Sequence, residues 1–345
     1  MSLFLDTTQF NGKFRSANCL TIGLINNMPD AGFAATERQF IEVVGAATGN
    51  SIVGLTLFSI PDVPRADHVR HGITQQYRDV SELWDTSLDG LIVTGTEPRA
   101  ASLKDEPYWA TLSKVVNWAR ENTVSTIWSC LAAHAAVLHI DGIQRCRLPE
   151  KQFGVFNCQV VTANQVTHKL REPFRVPHSR YNDLSERALA SCGYKILTRS
   201  AVAGVDAFCK KERSFFLFFQ GHPEYQADTL LREYRRDIGR FLRGEQEHYP
   251  AMPQGFFNVE KIGIANEFRD RALVDRRGDL IGSFPMSLLE AGLERTWHTS
   301  SIGIYRNWIG YLRAHKARER MLTGSVATDL ARQIDWRRAA AANVR

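Results

Sequence analysis

The sequence predicts an α/β protein with a mostly parallel central sheet, helices on both faces and some antiparallel strands in the second half. Three observations carry that expectation. Short β-branched runs alternate with segments of helical spacing. The runs are apolar nearly throughout, as strands buried on both faces are. No Pro- or Ser-rich linker and no internal repeat divides the chain, so residues 1–325 are expected to form one composite domain, followed by a basic, Ala- and Arg-rich tail at 326–345.

In chain order, CLTIGLIN (19–26) reads as a strand and TERQFIEVVGAAT (36–48) as a helix with Thr36 as its N-cap. SIVGLTLFSI (51–60) and DGLIVTG (89–95) are strands, the latter stopped by Gly95. PYWATLSKVVNWAREN (107–122) has helical spacing, VSTIWSC (124–130) is a buried strand, and LAAHAAVLHI is a small-residue helix. Residues 153–161, 194–200, 203–211 and 214–221 read as strands, some antiparallel, and DTLLREYRRDIGRFLRG (228–244) as an amphipathic helix.

Composition narrows the class. The chain of 345 residues is 44% hydrophobic and 23% charged, as globular proteins are. No apolar run approaches the roughly 20 residues of a membrane span. MSLFLDTTQFNGKF lacks the order of a secretory signal. Six scattered cysteines with no CxxC speak against a disulfide scaffold or a structural zinc site, so a reducing, cytoplasmic compartment is expected. The net charge of +6 is spread along the chain and interleaved with acids, so no nucleic acid is expected as partner; it suits a phosphorylated co-substrate.

The chemistry concentrates at strand ends. Cys130 stands between a buried strand and a small-residue helix, where a helix N-terminus favours a thiolate and supplies N–H groups. FFQGHPEY ends another apolar strand, so His222 can serve as general base with the Glu224 carboxylate fixing its tautomer. Both lie where open α/β sheets place their sites. The turn in VTGTEP brings backbone N–H groups, Thr96 among them, that with the N–H of Leu131 can hold an oxyanion. From spacing alone PHSRY (177–181) and EKQFGVF (150–156) are surface loops, the second a lysine ahead of a glycine turn. His68, His71 and His134 lack an acidic partner at ligand spacing, so no metal site is expected.

These segments bring a family into view. The chain resembles the homoserine O-acyltransferases of the succinyltransferase type, from methionine biosynthesis. The likeness runs from Leu20 to Trp308 through NNMPD, TERQF, DGLIVTGTEP, STIWSCLAAHAA, LPEKQFGVF, PHSRY, QGHPEYQADTLLREYRRD and WHTSSIGIYRNWIGY. The resemblance implies a class I glutamine amidotransferase-like fold, usually a homodimer. Cys130 matches the nucleophile, His222 the base and Glu224 the carboxylate, with Lys151, Ser179 and Arg236 as substrate contacts. It implies acyl-CoA as co-substrate, homoserine as acceptor and no cofactor. Serine as acceptor stays open. So does a glutamine amidotransferase-like Cys hydrolase, although that class carries a glycine beside its nucleophile where this chain has Ser129 and Leu131. A non-catalytic binding protein on the same fold is the third reading.

The chain departs from the family in three places. Asp30 follows Met28-Pro29 where the family usually has lysine. CLAAH replaces CWxxQ. Arg99 stands where the family has Gly or Glu, associated with succinyl and acetyl use respectively. Arginine holds a carboxylate in two-pronged geometry, so Arg99 is expected to select succinyl-CoA over acetyl-CoA.

Overall fold

The computed structural model describes residues 3–6 and 19–342, the side chains of Asp6, Thr74 and 323 onward excepted. The basic tail expected at 326–345 lies outside the described side chains, and most of the N-terminal stretch weighed as a signal lies outside the described residues. The strands are β1 (Leu3–Asp6), β2 (Cys19–Ile25), β3 (Ile52–Ser59), β4 (Arg78–Asp79), β5 (Gly90–Val93), β6 (Ser125–Ser129), β7 (Cys146–Val160), β8 (Phe174–Asp183), β9 (Lys195–Ser200), β10 (Gly204–Lys211) and β11 (Phe215–Phe219). They form one sheet in the order β1-β3-β2-β5-β6-β11-β10-β9-β7-β8, with the short β4 also beside β3. Every pair from β1 to β11 along this path is parallel. β10, β9, β7 and β8 add antiparallel ladders.

The helices are α1 (Asp30–Ala47), α2 (Asp67–Gln76), α3 (Trp109–Asn122), α4 (Leu131–Asp141), α5 (Glu186–Ser191), α6 (Thr229–Leu242), α7 (Val259–Val274), α8 (Met286–Glu290) and α9 (His298–Ala342). The two sheet faces are covered by different sets. α3, α4 and α5 pack on Val93, Trp128 and Phe218, whereas α1 and α9 pack on Leu24, Ile92, Ile127 and Leu217. Neighbouring residues of one strand thus enter opposite cores, which is why these strands lack polar alternation. A third cluster joins α6, α7 and α8 to Phe153 and Trp297. Among the described residues no helix is long and apolar enough to cross a membrane.

Three expectations need correction. α1 starts at Asp30, six residues before Thr36, which lies inside the helix. Pro29 sets the extended entry at φ −72°. Asp30 sits in the first turn, where its charge suits the helix dipole. PHSRY is not a loop but part of β8, and EKQFGVF is part of β7. Gly154 makes no turn: it pairs with His178 within the ladder.

The registers bring the site together. Phe219 of β11 lies opposite Ser129 of β6, and Val93 of β5 opposite Trp128. The chain therefore leaves three adjacent parallel strands at one edge, and the next residues are Thr94, Cys130 and Gln220.

Candidate active site

Cys130 holds φ 52° and ψ −114°, a conformation uncommon for a residue with a side chain. The sharp turn follows from two constraints: the Cys130 N–H still donates to Phe219 O at 2.7 Å, as the β6–β11 pairing ends, and α4 begins at the next residue. The thiol therefore stands at a helix N-terminus, which favours negative charge.

His222 is anchored by its backbone N–H, donated to Pro177 O of β8 at 2.8 Å. Its Nδ1 meets Glu224 Oε1 at 2.7 Å, leaving Nε2 for the thiol. The Tyr225 ring stacks on the imidazole, 4.2 Å between centroids. Burial alone would push the imidazole down. The charges of Cys130 and Glu224, and hydrogen bonds to both, outweigh it and hold the group well above its ordinary value. Gly221 precedes this turn because a Cβ there would lie 2.5 Å from Asp206 Oδ1 and 2.9 Å from His178 Nε2.

The turn after β5 lies against the elbow. A Cβ on Gly95 would stand 3.1 Å from the Leu131 nitrogen and 3.2 Å from Ser129 O. The glycine thus leaves space over the Leu131 N–H, and Thr96 lines the same cavity. Asn27 holds the turn: its N–H donates to Thr94 Oγ1 at 2.8 Å and its side-chain amide to Thr94 O at 3.1 Å.

The cavity encloses about 310 Å³. Lys151, Ser179 and Arg236 come together on one wall. Lys151 Nζ donates to Asp237 Oδ2 at 2.7 Å, and Arg236 contacts Asp237 Oδ1 at 2.9 Å. Ser179 Oγ donates to Glu233 Oε2, and the Tyr225 hydroxyl to Glu233 Oε1 at 2.6 Å. Burial would raise the Glu233 and Asp237 carboxyls; the charges of Lys151 and Arg236, with these hydrogen bonds, hold both below the usual range. Lys151 gets there because the β7–β8 register shifts between Arg147 and Gln152, an irregularity of the kind that re-aims side chains beside active sites.

Glu233, Tyr225 and Asn27 were not singled out from the sequence. Glu233 and Arg236 are three residues apart on α6 and so share a face, a signal that was available. Arg99 is exposed and is not among the residues lining the cavity, although Pro98 just before it is. Its backbone N–H and that of Ala100 are held by Glu106 Oε1 at 2.6 and 2.7 Å. His134 lines the cavity from α4, with Nε2 2.9 Å from Gln220 Oε1, and burial pushes its imidazole down to about 3. His68 and His71 lie on α2. Cys158, His178 and Asp206 have ligand atoms within 4.8 Å of one another, all buried. His178 Nε2 faces Asp206 Oδ1 there at 3.4 Å.

This arrangement can carry nucleophilic acyl transfer: a thiol, a base with an oriented imidazole, and backbone donors beside the thiol. Sequence comparison points the same way. The family model described as "Homoserine O-succinyltransferase" matches residues 8–318. A homoserine O-succinyltransferase of Rhodopseudomonas palustris is 48% identical over 85% of this chain and 88% of its own length. One from Bradyrhizobium japonicum is 48% identical over 85% and 90%. A solved glutamine amidotransferase from Thermotoga maritima superposes with TM-score 0.48 at 11% identity, over 85% of this chain and 98% of that one.

Proposed function

Because the chain belongs to the homoserine O-succinyltransferase family, we propose that it moves a succinyl group from succinyl-CoA, through a thioester on Cys130, to the hydroxyl of homoserine, yielding O-succinylhomoserine for methionine biosynthesis. The observation that carries this reading is the elbow cysteine beside the His222–Glu224 pair at the mouth of a cavity lined with cations.

In the first step His222 Nε2 takes the proton of Cys130, and the thiolate adds to the thioester carbonyl. The Leu131 N–H and the turn at Thr96 receive the oxyanion. The bond to coenzyme A sulfur breaks, His222 returns the proton to that sulfur, and a succinyl-cysteine remains. In the second step His222 takes the proton of the homoserine hydroxyl, whose oxygen attacks the thioester. Cys130 leaves as thiolate and is reprotonated by His222. Arg236 holds the acceptor carboxylate, and Lys151 and Ser179 position the rest. The charges balance with no resident metal or redox group. Two copies working as a homodimer in the cytoplasm complete the reading.

Intact-mass measurement after separate mixing with succinyl-CoA and acetyl-CoA tests it. We expect one succinyl group on Cys130, discharged by homoserine and not by serine. Discharge by serine would move the acceptor assignment. No adduct from either donor, together with ammonia release from glutamine, would replace the reading with an amidotransferase-like hydrolase.

A further inference from the structure

The cations around Cys130 divide into two groups. Lys151 and Arg236 share Asp237, with Glu233 Oε2 a further 3.7 Å from Lys151, and Arg240 pairs with Glu97. Arg180 spends its guanidinium on Asp183 and on the carbonyls of Asn182 and Ala203. Arg145 and Arg147 differ. Among the described residues neither has a carboxylate within ion-pairing distance or a hydrogen-bonded side-chain partner, and Arg147 lies over the Tyr181 ring at 4.4 Å.

Both stand where β7 begins, and both line the Cys130 cavity and an adjoining one of about 610 Å³. Arg145 is half-buried, and burial pushes its guanidinium down; the charges of Tyr108, Glu106 and Cys130 oppose this, and that of Arg147 adds to it. Glu106 makes no ion pair with it: its Oε1 is held by the backbone N–H groups of Arg99 and Ala100, and its buried Oε2 acts on Arg145 only through charge. A half-buried arginine that lines the cavity of the thiol, with no carboxylate among the described residues in ion-pairing distance, is free to receive one from a ligand.

We infer that Arg145, seconded by Arg147, holds the free carboxylate of the succinyl group and that donor choice resides there rather than at Arg99. The inference rests on the succinyl transfer proposed above. It locates the acyl end of the donor at the start of β7, along the cavity that Cys130 lines.

The test is kinetic. Arg145→Met is expected to lower kcat/KM with succinyl-CoA about a hundredfold and with acetyl-CoA by less than about threefold, because only one donor carries the carboxylate. Arg145→Lys should recover part of the loss, and Arg99→Ala should change neither donor beyond about twofold. An equal fall with both donors would assign Arg145 to the coenzyme or to loop support. A selective fall in Arg99→Ala, or unchanged selectivity in Arg145→Met, would equally overturn the inference. A second readout stands apart from turnover: the rate of Cys130 alkylation by anionic iodoacetate relative to neutral iodoacetamide. Arg145 should favour iodoacetate several-fold in the native protein, and Arg145→Met should abolish that preference. If no acyl transfer occurs but the preference behaves so, the reading of function fails while the carboxylate subsite stands. If transfer occurs and the preference is absent, the reverse holds.

Discussion

The strained backbone of Cys130, φ 52°, puts the thiol in the cavity while its N–H still closes the sheet. Strain of this kind persists only where surrounding structure over-determines it. Here β11 pairing and the start of α4 do so. Cys130→Ala should therefore fold normally yet form no acyl adduct, and Cys130→Ser should retain slow turnover at best, because a hydroxyl is far less ionised. Adduct formation in Cys130→Ala, read by mass, would remove the covalent step. His222→Ala should cost about a hundredfold or more in kcat, the scale of a lost general base. His134 makes a separate prediction about stability. Burial depresses its imidazole to about 3 in the folded chain. Unfolded, it titrates near about 6.5. Below that pH the unfolded chain gains a proton that the folded chain refuses. Stability is thus fully present above the unfolded value and is lost as pH falls toward the folded one. At pH 5 the loss is about 2 kcal/mol. His134→Gln keeps a donor toward Gln220 and has no such titration. Its urea midpoint should fall less between pH 7 and 5 than that of the native chain. Parallel declines would sink the argument.

At the scale of elements, the site is a meeting of strand ends. β5, β6 and β11 are parallel neighbours in register, so the turn at Gly95, the elbow at Cys130 and the turn at His222 share one edge. The closeness of the first two is what Gly95 permits, with backbone atoms of Leu131 and Ser129 just over 3 Å from where a Cβ would stand. Neither atom belongs to a flexible side chain that can yield. Gly95→Ala should therefore lower kcat by on the order of a hundredfold, the effect of a compromised oxyanion donor, with acceptor KM little changed. Native activity in Gly95→Ala would place the oxyanion elsewhere. The wall around Lys151 depends on α6, whose residues Glu233, Arg236, Asp237 and Arg240 recur at helical spacing and so share one face. The amphipathic pattern of that helix was visible in the sequence, and Arg236 through the resemblance. The ion pairs with Lys151 and Glu97 come from other elements.

The whole molecule holds the site from behind. The segment leading into α9 returns across the chain to support the His222 turn: Trp297 Nε1 donates to Tyr225 O at 2.8 Å, and Arg295 donates to Glu224 O at 3.0 Å. α9 then crosses the sheet face that α1 also covers, and Trp308 donates its indole N–H to Ser125 Oγ at 2.9 Å. This long-range support makes one cooperative unit of the chain through Trp308. A chain ended after residue 325 should unfold in a single transition and keep its kcat/KM. Ending it before Trp297 should abolish both, since the His222 turn and a large buried indole lose their partners. Retained activity in the shorter chain, measured by the same assay, would show that the return segment is dispensable.

The sequence by itself determined the sheet class and the positions of Cys130, His222 and Glu224, because those signals are local. Apolar runs mark doubly buried strands, and a polar residue just past each run marks a strand end. Lys151, Ser179 and Arg236 were legible through the resemblance; from spacing alone the segments of Lys151 and Ser179 passed for loops, since ladder pairing between β7 and β8 leaves no short-range trace. The start of α1 at Asp30 was hidden for a related reason: Pro29 and Asp30 open the helix ahead of the apolar pattern. Tertiary structure alone decided which charges remain open. Arg99 and Arg145 are equivalent as letters, and either side chain can hold a carboxylate. Folding leaves Arg99 exposed beside Glu106 and sets Arg145 half-buried along the cavity, without a carboxylate partner among the described residues. Charge neutralisation depends on partners up to a hundred or more positions away, as Arg240 and Glu97 illustrate, and only the packed chain brings them within reach.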